Sequence, residues 1–71
     1  MHNQKLLTDQ DFAEAMDKGV RLRVFQDDHV IDSGGVIIRF DADTVVIQSS
    51  VSDVAYHSRR DCEFFATRRK G

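Results

Sequence analysis

The side chains that could do chemistry are few and scattered. His2, His29, His57 and Cys62 are the chain's nitrogen and sulfur metal ligands, but they lack the closely spaced pairs that bring four ligands onto one zinc ion. Serines, histidines and aspartates all occur, yet no nucleophile elbow, glycine-rich phosphate loop or HExxH helix orders them. Cys62 alternates with Glu63 in a strand-like run and is expected in the core. These features point away from an enzyme and imply no cofactor and no metal. Non-covalent chemistry remains. Arg21, Arg23 and Phe25 alternate, which can set guanidinium groups on phosphates and an aromatic ring under a base. The competing role for Phe25 is a ring packed beneath the N-terminal segment or in an interface. Tyr56-His57-Ser58 is either a nucleobase-contacting edge or a strand-end tyrosine at a subunit seam. A neutral imidazole there brings no phosphate charge. Arg59-Arg60 and Arg68-Arg69-Lys70 are the basic clusters.

Charge is unevenly spread around a net −2. Residues 1–58 hold five basic and ten acidic side chains, and residues 59–71 hold five basic and two acidic. The acidic body with a basic end is either a hint of an anionic partner or a solvated tail. In a ring the same clusters would repeat into a belt. With 71 residues the chain has room for one domain, spanning 1–71, whose core alone is marginal. Disulfides cannot help, because Cys62 is the single cysteine, so oligomerisation is the expected remedy. A lone cysteine fits a reducing, cytoplasmic setting. No apolar run reaches membrane-span length and no charged-then-apolar leader opens the chain, so a soluble, unprocessed protein without a membrane partner is expected.

The elements that must position these groups follow from periodicity. Thr8 is placed as an N-cap, with Asp11 at the third helical position and Leu7 and Phe12 set for a hydrophobic staple. Phe12, Ala15 and Met16 form a narrow apolar stripe, Lys18 lies in the last turn and Gly19 is the stop, which predicts a helix over 8–18. After Gly19 the period drops to two. Strands are predicted over 20–26, 30–40, 44–48, 51–56 and 62–66, with turns at Asp27-Asp28-His29, Asp41-Ala42-Asp43 and Ser49-Ser50. Ser33-Gly34-Gly35 interrupts the second strand, where glycine marks a bulge or bend. The prediction is a mainly β fold: an N-terminal helix, then a bent five-stranded closed barrel of the SH3-like or Sm-like kind.

The order of motifs resembles the Sm-like family, and within it the Hfq branch of bacterial RNA chaperones. Gln10-Asp11-Phe12 resembles the start of that branch's N-terminal helix. Gly35 to Asp41, reading GVIIRFD, resembles its bent second strand. Thr44-Val-Val-Ile47 falls where it has an apolar third strand, and Val51-Ser52 and Tyr56-His57 where it has Val-Ser and Tyr-Lys-His. The resemblance covers roughly Gln10 to Phe65. It implies a homo-oligomeric ring, a hexamer, with single-stranded RNA as ligand. It also implies a uridine site on the helix face near Tyr56 and His57, with Gln10 at the start of the helix, and a purine-binding aromatic, Phe25, on the opposite face; Arg59 and Arg60, candidate RNA contacts by their charge, replace an apolar-containing stretch of the pattern. The chain departs from the pattern in the uridine site: Asp43 stands where an aromatic is expected, His57 where a lysine is, and Ser58 where a histidine is. The expected function is an RNA-binding ring with an altered uridine site. The alternative is a protein-interaction module on the same fold without significant RNA binding.

Overall fold

The computed structural model describes residues 3–67; the cluster Arg68-Arg69-Lys70 lies outside the described residues. The elements in chain order are β1 (Asn3–Lys5), α1 (Asp9–Lys18), β2 (Leu22–Gln26), β3 (His29–Phe40), β4 (Thr44–Ser50), β5 (Asp53–Ser58) and β6 (Glu63–Thr67). The strands form one antiparallel sheet in the order β1-β6-β2-β3-β4-β5.

The helix is delimited by its caps. Thr8 Oγ1 accepts from Asp11 N–H at 3.1 Å, and the Asp11 carboxylate accepts from Thr8 N–H at 3.1 Å, closing a capping box. Gly19, at φ 63°, ends the helix in the left-handed conformation. Phe12 and Ala15 bury against the sheet. The expected staple does not form: Leu7 is 67 % exposed, and it is Leu6 that enters the core. The apolar stripe also narrows, because Met16 is exposed.

The bend in β3 organises the rest. Residues 29–35 pair with β2 and residues 36–40 with β4, so one long strand serves both halves of the sheet. Gly34, at φ 88°, takes a backbone conformation that side chains resist, and it falls at a register shift. Gly35 is buried where a Cβ would collide with Ile47 Cγ2 and lie 3.2 Å from Gln48 O. Folded at this point, the two halves enclose Leu22, Val24, Ile37, Val45, Ile47, Phe64 and Ala66. Phe12 joins them, its ring 5.5 Å from Phe64 and 5.8 Å from Phe40. Between β2 and β3, Asp27 and Asp28 both have positive φ, 52° and 68°, the geometry of a two-residue type I′ hairpin turn.

Three expectations need correction. The sheet is strongly bent but not closed into a barrel, since its end strands β1 and β5 do not pair. Among the described residues it has six strands rather than five, because the polar segment Asn3–Lys5 adds to the outer edge of β6. The strand expected over 51–56 runs Asp53–Ser58 instead, and its predecessor continues to Ser50. Here the turn is set by side chains: Ser50 Oγ donates to Asp53 Oδ2 at 2.8 Å and Gln48 Nε2 to the Val51 carbonyl at 3.3 Å, leaving Val51 at the exposed tip.

Candidate nucleic-acid interface

Alternation along β2 sends Leu22 and Val24 into the core and leaves Arg23 and Phe25 on the outer face. The neighbouring strand repeats the pattern: Phe64 and Ala66 point in, Phe65 points out. Register then assembles the outer face. Arg23 lies opposite Phe65, Phe65 opposite Lys5, and Phe25 opposite Glu63. The Phe25 and Phe65 rings meet edge to face, centroids 5.3 Å apart at 78°, and both remain half-buried. Arg21 extends the row, exposed, with Nη1 3.4 Å from the Gly34 carbonyl. Lys5 Nζ is 3.2 Å from Glu63 Oε2, and Arg23 makes no ion pair among the described residues. The result is an aromatic pair bordered by Arg21, Arg23 and Lys5, with one carboxylate, Glu63, already partnered. Asp27 and Asp28 mark the acidic end of this face.

The other candidate residues do not join this surface, and of them Arg59 and Arg60 share a groove at the start of α1. Gln10 is exposed on the first turn of α1. Tyr56 on β5, 69 % exposed, pairs with Val46 of β4, while its neighbour His57 turns to the opposite side. There His57 Nε2 contacts Asp32 Oδ2 at 2.9 Å, with 11 % and 15 % of the two side chains exposed. This contact ties β5 to the first half of β3 across the bend.

Arg59 is committed to internal partners. Its Nη1 donates to Asp9 Oδ1 and to the Asp41 carbonyl, each at 2.7 Å, and its guanidinium carbon sits 4.4 Å from the centre of the Phe12 ring. It thereby joins the 59–62 connection to the start of α1 and to the β3–β4 turn. Arg60 is exposed on the same groove, which Lys5, Leu7, Phe12, Asp43, Cys62 and Phe64 also line.

Two carboxylates, one in the β3–β4 turn and one in the first turn of α1, are held by backbone N–H groups. Asp41 accepts from the N–H groups of Asp43 and Thr44, each at 2.8 Å, and these bonds hold its carboxyl below the usual range. The Asp11 carboxyl is lowered in the same way, by the N–H groups of Leu7 and Thr8. Burial, with Asp61 nearby, pushes the Cys62 thiol up and keeps it protonated. Among the described residues, no group of three or more His, Cys, Asp or Glu side chains is gathered to hold a metal ion. No helix among them is long and apolar enough to cross a membrane.

Sequence reading missed Phe65 and Lys5. The signal for Phe65 was present, because tandem aromatics in a strand must point to opposite faces, and Phe64 reads as core. Lys5 belongs to a three-residue polar strand with no periodicity to find. Comparison with family models, with curated proteins and with solved structures returns no match for this chain.

Proposed function

We propose that the chain is a Sm-like module that binds single-stranded RNA on the outer face of β2 and β6 and works as a homo-oligomeric ring, a hexamer by the resemblance. The observation that carries the RNA reading is the half-buried Phe25–Phe65 pair with Arg23 beside it. Aromatic faces accept any base, and flanking cations track the phosphates. The helix-face uridine site is altered in this reading. Asp43 presents an exposed carboxylate there, His57 is turned to Asp32, and Arg59 is occupied by Asp9 and Asp41. One capped helix followed by five strands of a bent sheet, with glycines at the bend of the longest strand, supports the Sm-like reading.

The excess of carboxylates over residues 1–58 favours a second reading, a protein-interaction module on the same fold. Short A-rich and U-rich oligonucleotides, titrated at low and moderate salt against the parent and Phe25→Ala, separate the two. Under the RNA reading, Phe25→Ala weakens A-rich binding about five- to 150-fold, the equivalent of ~1–3 kcal/mol of stacking. Tight U-rich binding untouched by Phe25→Ala would place the site on the helix face. No binding of either RNA at low salt supports the protein-interaction reading.

A further inference from the structure

The β1 segment occupies an edge that a ring would need. Asn3, Gln4 and Lys5 pair with Thr67, Ala66 and Phe65, and Leu6 N–H continues the ladder to the Phe64 carbonyl at 2.8 Å. Without this segment the sheet would end in two bare strands, β6 on one side and β5 on the other. Among the described residues nothing pairs with the outer edge of β5, which carries two large exposed apolar side chains, Val54 and Tyr56. Such an edge is a template for another strand. The bare edge on a second copy would therefore find β6 already covered.

That cover is lightly held. Gln4 and Lys5 are exposed, so neither side chain of the pair adds buried apolar surface. The link of Lys5 to Glu63 is an ion pair between side chains 43 % and 55 % exposed, a class that contributes little. Backbone hydrogen bonds made in exchange for water roughly balance the entropy of fixing so short a strand. Leu6, which is buried, anchors the segment where it enters the core. A strand from a second copy would bring six residues, Asp53–Ser58, against the three of β1.

We propose that β1 is a displaceable strap: it holds the β6 edge within one chain and is replaced there by β5 of a second copy, so that strap release controls assembly. This rests on the ring reading given above. The test is analytical ultracentrifugation of the parent, of Gln4→Pro, which deprives the strap of a ladder N–H, and of a variant lacking residues 1–5 but keeping Leu6. Circular dichroism checks each fold. Both variants are expected to assemble at concentrations at least tenfold lower than the parent, and Val54→Lys with Tyr56→Lys is expected to abolish assembly in either background. Equal assembly of parent and variants overturns the strap and leaves the ring standing. Monomers throughout overturn the ring reading and the strap with it. Unfolding of both strap variants also overturns the proposal, since a strap the fold cannot spare is not displaceable.

Discussion

Arg59 is a residue whose sequence context suggests a phosphate contact and whose structural setting suggests a tie-bar, and its removal separates the two. The Arg59 side chain is 15 % exposed. Its bond to the Asp41 carbonyl, from a charged donor, is of a kind worth about 1.5–3 kcal/mol. The carbonyl belongs to an exposed turn and rehydrates when the arginine is cut back, which favours the low end. Asp9 is 77 % exposed, so that pair adds only about 0.2–1 kcal/mol. Contact with the Phe12 face adds roughly 0.5–1 kcal/mol. Arg59→Ala is therefore expected to lose about 2–3 kcal/mol, read by urea unfolding. For a domain of this size that lowers Tm by roughly 8–24 °C. Arg59→Lys should lose less than half as much, because both bonds come from the single nitrogen Nη1, whose place an ammonium can take, and the planar contact with the Phe12 ring is what is lost. At a temperature where the variants remain folded, RNA affinity and its salt slope should match the parent. Unchanged stability, together with weaker RNA binding and a salt slope flattened by about 0.7 per lost phosphate contact, would refute the tie-bar.

Gly35→Ala should destabilise by about 1–3 kcal/mol in the same assay, since the added methyl has stiff Ile47 and the Gln48 backbone in its way. Asp28→Gly should instead stabilise, by roughly 0.5–1 kcal/mol, because φ 68° is natural to glycine and strained for aspartate. The acid limb of the stability–pH curve should carry the signature of Asp11 and Asp41. Both carboxyls are held below their ordinary value in the fold, so their contribution is complete above an ordinary carboxyl pKa of about 3.9 and is lost as pH falls through the depressed values. Asp11→Asn with Asp41→Asn should flatten that limb, measured as midpoint against pH below about pH 4.

Much of the architecture was legible because it rests on local chemistry. Thr8, Asp11 and Gly19 mark the helix ends by hydrogen bonding and by backbone freedom, both of which are properties of residue type. Gly34 and Gly35 announce the bend. Leu22, Val24, Val45 and Ile47 declare the core by alternation. What stayed hidden depends on partners far along the chain. β1 has no pattern of its own and is a strand only because β6 offers an edge. The turn at Val51-Ser52 is displaced from Ser49-Ser50 by the reach of Gln48 and Ser50 side chains. Arg59 looks solvated in sequence, and only the meeting of Asp9, Phe12 and Asp41 makes it internal. His57 reads as part of a Tyr-His edge until strand geometry sends the two rings to opposite sides. Phe25 found its partner, Phe65, through register between β2 and β6, which no single segment encodes.

The most direct test of the central claim is a map of backbone amide shifts as a short A-rich oligonucleotide is added to the labelled protein at low salt. Perturbations concentrated on Arg21, Arg23, Phe25 and Phe65, and abolished in Phe65→Ala, are the expected result. Perturbations centred on Gln10, Asp43 and residues 56–60 with the Phe25–Phe65 face silent, or no perturbation at all, would contradict it.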